Sequence, residues 1–292
     1  LKENKGGVVI YLHDFSFPSD DMEFDFFMKI KRTCYDSFYP FKILSKNSFE
    51  TIVFEPVTIL YGGNGSGKST ALHVIAEKTG VKRDSIYNKS NFYPDYVNMC
   101  GMQLKEEIPE NSRIITSDDV FDYMLNIRNL NEGIDQKREE LFEEYLDAKY
   151  SHFQMRCMED YEQLKKVNIA RSQTQSRFVR NELMDNVREY SNGESAFLYF
   201  TEKIGENGLY ILDEPENSLS PKRQVELVDF IEQSARFFGC QFIISTHSPF
   251  LLSMNGAKIY NLDEKPVKVR RWTELENIRT YYDFFKRHEN KF

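Results

Sequence analysis

The chain has 292 residues, 40% hydrophobic and 29% charged, with 24 Phe and 17 Tyr, enough for one large domain or two modest ones with a well-filled core. Its net charge of -8 excludes a bulk nucleic-acid binder, since phosphate contacts need Lys and Arg, though a local basic stripe stays compatible with it. Cys34, Cys100, Cys157 and Cys240 form no C-x-x-C pair, which argues against a zinc or paired redox motif and for free thiols in a reducing cytosol. No apolar run approaches the ~20 residues of a membrane helix, and Leu1 to Asn4 does not read as a signal peptide. The expectation is a cytoplasmic protein with no membrane span of its own.

In chain order, Gly7 to Leu12, Thr51 to Phe54 and Val57 to Tyr61 read as strands. The third is apolar and β-branched, as a buried parallel strand should be. It runs into a glycine-rich stretch, and Ser69 to Lys78 then has helical character up to Gly80. Arg113 to Ile115 predicts a further strand, with a turn at Thr116 to Asp119. From Asp118 to Arg188 there is no proline and charge is dense. Glu139 to Leu146 and Phe178 to Val187 have helix spacing, so this part reads as a mostly helical subdomain with solvated charged faces. An α/β rhythm then returns. Gly208 to Leu212 and Gln241 to Ser245 read as strands, and Pro221 to Phe237 as an amphipathic helix. Lys258 to Leu262 and Val267 to Arg270 read as a hairpin, and Trp272 to Phe285 as a closing helix.

Gly62-Gly63-Asn64-Gly65-Ser66-Gly67-Lys68-Ser69-Thr70 matches G-x-x-x-x-G-K-[ST], with the strand before and the helix after that this motif needs. Gly65 and Gly67 allow the backbone to turn its N–H groups inward. Those groups and the helix N-terminus make an anion cradle. Gly62, Asn64, Gly65, Ser66, Gly67, Lys68, Ser69 and Thr70 are therefore the expected phosphate-binding residues. Lys68 can reach the β- and γ-phosphates, and the Ser69 hydroxyl can ligate Mg2+. Downstream, the apolar strand from Leu209 ends in Asp213 and Glu214. Carboxylates buried at a strand end call for a cation, so Asp213 is the expected metal residue. Glu214 is the expected general base. A third strand ends at Ser245-Thr246-His247, at the sheet edge where ligands bind, which makes His247 a candidate for the γ-phosphate or the attacking water. Tyr190-Ser191-Asn192-Gly193-Glu194-Ser195, before a helix starting near Ala196, is either a plain N-cap or a second anion site.

Taken together, these segments resemble the ABC-type ATPase heads, in that family's order. Gly62 to Thr70 looks like Walker A, Tyr190 to Glu194 like the signature motif, Leu209 to Glu214 like Walker B, Ser218-Leu219-Ser220 like the D-loop, and His247 like the switch histidine. The resemblance implies an α/β P-loop NTPase of ABC type: a mostly parallel core sheet flanked by helices, an N-terminal antiparallel sheet and a helical signature subdomain. It further implies one domain over 1–292, with 1–117 and 196–292 as nucleotide-binding core and 118–195 as the helical part. Two copies would sandwich ATP, with Ser191 and Gly193 acting in trans on ATP held by the other copy. Departures are Asn192 where Gly is usual, Glu194 where Gln is usual, and a D-loop without its common terminal Asp. For the Q-loop, Gln103 carries the right side chain, while Thr116 to Asp119 has the better position. Tyr35, Tyr39 and Phe41 are candidates to stack on adenine.

Asp213 to Pro221 and Ser245 to Phe250 are more similar to soluble AAA-like members of the ABC superfamily, related to SMC, DNA-repair and phage-defence heads, than to transporter subunits. The expected function is Mg2+-dependent ATP hydrolysis in an ATP-dependent homodimer that drives a protein partner or acts on nucleic acid in DNA maintenance or defence. The alternatives are a slow ATP-gated clamp and the nucleotide-binding subunit of a transporter.

Overall fold

The first strand does not run where the apolar stretch Gly7 to Leu12 predicts. In the computed structural model, which describes residues 8–31, 34–35, 37–153, 160–183 and 192–291, β1 is Leu12–Ser16. The N–H groups of Tyr11 and Leu12 turn instead to the Gln241 side chain. A bulge between Leu12 and Asp14 breaks the alternation and hides the strand from a period-two reading. Helix α1 (Asp20–Lys29) follows, with Ser19 as its N-cap accepting from the Met22 N–H.

Strand β2 is Thr51–Val53, and β3 is Val57–Tyr61, buried along its whole length. Helix α2 (Lys68–Thr79) is bounded by two glycines in the left-handed region, Gly67 at φ 98° and Gly80 at φ 68°. Its Leu72, Val74 and Ile75 are fully buried. Helix α3 (Tyr93–Met99) and β4 (Gly101–Leu104) lie in a region with no clear periodicity in the sequence. Strand β5 is Arg113–Thr116. The turn expected after it is the first turn of α4 (Ser117–Tyr150): the Asp119 carboxylate accepts from the Thr116 N–H at 2.6 Å and starts the helix directly.

The chain packs as two compact units, Leu1–Phe121 with Asn192–Phe292, and Asp122–Ser191. In the second, α4 is followed by α5 (Tyr161–Ser172) and α6 (Gln175–Glu182). Leu141, Tyr145, Ala170, Phe178 and Val179 form its core. The rest of the stretch read as helix to Val187 lies outside the described residues.

The first unit resumes with α7 (Asn192–Lys203), which starts one turn earlier than expected, and β6 (Gly208–Asp213). Helix α8 (Pro221–Phe237) has proline in its first turn, where the missing N–H costs nothing, and buries Leu227, Ile231, Ser234 and Ala235 along one stripe. Strand β7 is Cys240–Ser245, buried throughout. Then come α9 (Pro249–Leu252), β8 (Lys258–Asn261), β9 (Lys268–Arg270) and α10 (Glu276–Arg287).

These strands make two sheets: a six-stranded one in the order β5-β6-β7-β3-β8-β9 and a three-stranded antiparallel one in the order β2-β1-β4. In the larger sheet all neighbours are parallel except the β8–β9 hairpin. The fold is thus the expected mixed α/β class. Parallel order brings the C-terminal ends of β3, β6 and β7 to one edge, which is where the loop at Gly62, the acids at 213–214 and His247 begin.

Gln241 joins the two sheets. From β7 its Oε1 accepts from the Tyr11 and Leu12 N–H groups, both at 2.9 Å, and its Nε2 donates to the Leu12 carbonyl at 2.8 Å. It is completely buried. Gln241→Leu, of similar size, should therefore cost about 2–4 kcal/mol by stripping Tyr11 and Leu12 of these partners. Urea titration should show a lower midpoint with an unchanged slope. A wild-type midpoint would mean that packing alone holds the junction.

Candidate functional site

Lys68 is the centre of the site. It is the first residue of α2, and its side chain is only 4% exposed. Nζ donates to the Gly62 carbonyl at 2.8 Å and the Gly63 carbonyl at 3.3 Å, and lies 2.8 Å from His247 Nε2. An ammonium can only donate, so Nε2 is the acceptor and the imidazole is neutral with its proton on Nδ1. Burial, then the Lys68 charge, lowers the His247 pKa in keeping with that form; Glu214 and Asp263 oppose the shift.

Glu214 closes this group. Its Oε1 is 3.7 Å from Lys68 Nζ and 3.5 Å from His247 Nε2. The backbone of Glu214 has φ 47°, a left-handed conformation that costs a non-glycine residue on the order of 1 kcal/mol or more. It is held there by its own N–H, which donates to the Ser245 carbonyl at 3.1 Å and the Ser245 hydroxyl at 3.0 Å. The abrupt turn after β6 carries the Glu214 side chain toward Lys68.

Asp213 is in register with Ser245 of β7 and accepts from the Ser245 hydroxyl. The same Oδ1 accepts from the Ser69 hydroxyl at 3.0 Å. Burial raises the Asp213 pKa above the ordinary carboxylate value, against the lowering effect of these two hydrogen bonds. Asp213 and Ser69 also line a cavity of about 390 Å³ with Tyr39, His73, Thr116 and Asp118.

In the loop itself, Gly65 and Gly67 have φ 80° and 98°. A Cβ at Gly67 would meet Leu44 Cδ2 at 2.8 Å, whereas one at Gly65 would meet nothing within 4 Å. Only glycine fits at 67, by space as well as by φ, while position 65 faces open space and favours glycine by φ alone. Asn64 is exposed. Ser66 Oγ is buried without a hydrogen-bond partner. Thr70 Oγ1 accepts from the Tyr39 hydroxyl at 3.3 Å.

Lys68, Ser69, Asp213, Glu214 and His247 thus form one cluster at the mouth of the loop. Gly193 lies elsewhere, at the start of α7, where an added Cβ would sit 3.7 Å from the backbone of Ser218 and of Ser220. Ser191 lies outside the described residues. Gln103 belongs to β4 of the smaller sheet, exposed and paired with Asp14, while Thr116, Ser117 and Asp118 line the cavity beside Asp213. Of the three aromatics, Phe41 is buried and stacked on Phe26, Tyr35 packs edge-on against Phe92, and Tyr39 reaches the site.

Three contributors had no signal in the sequence. The Asp263 carboxylate accepts from the Gly63 N–H at 2.8 and 2.9 Å. Asn47 Nδ2 donates to the Ser66 carbonyl at 3.4 Å and to the Leu262 carbonyl at 3.3 Å. Glu216 binds the His247 N–H at 2.6 Å. Each acts across a long sequence separation, which periodicity does not report.

This fold and cluster define a P-loop NTPase of ABC type. The ABC transporter family model matches residues 48–217, more than half of the chain, and the chain belongs to that family of ATPases. A second family, described as "AAA domain, putative AbiEii toxin, Type IV TA system", matches residues 186–253. None of the curated proteins matches the chain in sequence. Among solved structures it is similar to the SMC head domain from Thermotoga maritima, at 13% identity and TM-score 0.39 over 90% of this chain and 99% of that one. It is similar also to the Smc head domain from Pyrococcus furiosus bound to the C-terminal domain of ScpA, at 14% identity and TM-score 0.39 over 80% and 95%. A dimeric bacterial ABC transporter cassette matches at 13% identity and TM-score 0.36 over 76% and 88%. Membership of the family implies ATP binding and hydrolysis. Among the described residues no helix is long and apolar enough to cross a membrane.

Beside the site, His73 on α2 accepts from Arg83 at 2.9 Å, and the Arg83 guanidinium stacks 3.7 Å from the Tyr87 ring centroid. Burial, then the Arg83 charge, pushes the His73 pKa from its ordinary 6.5 down to about 4. Between those pH values the unfolded chain binds the extra proton and the folded chain does not. Stability from this residue is therefore retained above pH 6.5 and falls by up to about 3 kcal/mol as pH drops to 4. Urea midpoints of wild type and His73→Gln across this range should differ in slope, the variant losing less. Parallel curves would overturn the assignment.

Proposed function

We propose that this chain is a Mg2+-dependent ATPase whose copies sandwich ATP, head to tail, and whose cycle drives a partner in DNA maintenance or defence. One observation carries the reading. Lys68 Nζ, His247 Nε2 and Glu214 Oε1 lie within 3.7 Å of one another at the mouth of a P-loop, beside the Ser69–Asp213 pair.

The residues fit Mg2+ and ATP. A desolvated carboxylate and a hydroxyl on one side are what Mg2+ takes when phosphates and water supply the rest of its shell. When bound, the metal would offset the charge of the phosphate oxygens. Gly62 and residues Asn64 to Thr70 hold the triphosphate through backbone N–H groups, with Lys68 exchanging its carbonyl partners for phosphate oxygens. Glu214 takes a proton from water as its oxygen attacks the γ-phosphorus, and the bond to the ADP oxygen breaks. His247, neutral, orients the water or the γ-phosphate. Ser191 and Gly193 complete the site of the other copy.

The defence reading draws support from the family description matched at residues 186–253. A slow ATP-gated clamp is the second reading, favoured by Glu194: it replaces the usual Gln, and its carboxylate is held by Arg223 of the same copy at 3.1 Å. A transporter subunit would need a separate membrane protein, and a protein or nucleic-acid partner remains part of the proposal.

Glu214→Gln should lower phosphate release about 100-fold or more while ATP still binds, and the variant should accumulate as a dimer on a sizing column with ATP. Robust hydrolysis by Glu214→Gln sinks the role of Glu214. A monomer at high concentration counts against the sandwich. Lys68→Ala should lose ATP binding itself, read by titration with a fluorescent nucleotide. Slow wild-type turnover with a stable dimer selects the clamp.

A further inference from the structure

Glu216 lies two residues beyond Glu214 and takes no part in the chemistry above. Its side chain leaves the 3-10 turn Pro215–Ser218 and crosses to the loop after β7. There Oε1 accepts from the N–H of His247 at 2.6 Å and of Ser248 at 3.2 Å. Its other oxygen, Oε2, is buried without a hydrogen-bond partner. Burial raises the Glu216 pKa, against those hydrogen bonds. A half-satisfied carboxylate in such a place is a standing cost, so what it holds is informative.

It holds the backbone that carries the imidazole. Residues 246–248 have no regular secondary structure, and side chains fix their shape. The Ser248 N–H also donates to Thr246 Oγ1 at 2.9 Å. The Ser248 hydroxyl donates to Gln224 Oε1 at 2.7 Å, and Gln224 Nε2 donates to the Leu219 carbonyl at 2.9 Å. The network starts at the turn after Glu214, passes through His247 and Ser248, and returns through α8 to Leu219 at the end of the same turn. The 215–219 turn and the histidine loop are therefore tied by hydrogen bonds at both ends.

We propose that Glu216 is a positioning residue for His247: it sets the distance of the imidazole from Glu214 and Lys68 and ties that distance to the 215–219 turn. This rests on the reading of His247 given above.

The test is a cycle of Glu216→Leu, His247→Ala and the double variant, with Glu216→Gln beside it, reading phosphate release and affinity for a fluorescent ATP analogue. Glu216→Leu should lower kcat about tenfold, the scale of a displaced catalytic group. ATP affinity should stay within about twofold, because the Glu216 hydrogen bonds go to His247 and Ser248 and not to the phosphate loop. Glu216→Gln keeps one acceptor oxygen at the same reach and should recover most of the rate. In the His247→Ala background, Glu216→Leu should add no further loss. Multiplicative losses in the double variant overturn this proposal alone. Wild-type turnover by His247→Ala overturns both it and the role of His247. If Glu216→Leu does not fold, Glu216→Asp, which shortens the reach, takes its place in the cycle with the same expectations.

Discussion

A buried ammonium is the constraint around which this end of the molecule is organised. The charge of Lys68 is withdrawn from water, and a lysine in that position needs acceptors for its donors and a nearby negative charge. The three acceptors are two carbonyls of the loop that precedes it and the ring nitrogen of His247; the charge is Glu214. No local segment supplies all of these. Gly62 follows β3, Glu214 follows β6 and His247 follows β7, and these are adjacent strands in the order β6-β7-β3. A parallel sheet in another order would scatter the three strand ends and leave the ammonium with only its own loop.

The second buried charge depends on the same register. Asp213 pairs across the ladder with Ser245, so one serine side chain accepts the Glu214 N–H and donates to the Asp213 carboxylate. That single residue steadies Asp213 and supports the left-handed turn that aims Glu214 at Lys68. The strain at Glu214 is thus held by the neighbouring strand. It allows two consecutive acids to face different partners, Ser69 for Asp213 and the Lys68–His247 pair for Glu214.

The parts legible in the sequence are contiguous. The P-loop, the strand ending in Asp213-Glu214, and the one ending at Ser245 each announce themselves within about ten residues, since burial on both faces leaves an uninterrupted apolar run. The parts that were not legible depend on distance or irregularity. Strand β1 is disguised by its bulge. Helix α3 has no periodic pattern because its burial is set by the aromatic cluster around Phe41 and Phe92, and the short β4 is mostly exposed. Gln241 reads as an interruption in a buried strand, and its meaning appears only when Tyr11 and Leu12 arrive beside it. Asp263 reads as a hairpin turn residue, yet its partner is Gly63, 200 positions away. The Q-loop shows the same limit: residue type pointed to Gln103 and chain position to Thr116–Asp119, and it is the latter stretch that lines the cavity at Asp213.

Charge is the further constraint on a site that is to take a polyanionic nucleotide. Among Lys68, Asp213, Glu214, Asp263 and His247, Lys68 alone is cationic, while Asp213, Glu214 and Asp263 are acids and burial and Lys68 disfavour the charged form of His247. With the acids ionised, one positive and three negative charges leave a formal excess of two negative charges facing a polyanionic substrate. Backbone N–H groups and the start of α2 supply partial positive charge, equivalent to roughly half an elementary charge, which does not close that gap. Asp263 widens it, because by engaging the Gly63 N–H it removes one donor from the cradle. A divalent cation bound with the nucleotide, as proposed above, would offset that excess. Burial raises the Asp213 pKa against two hydrogen bonds, and a cation held beside that carboxylate would offset this cost.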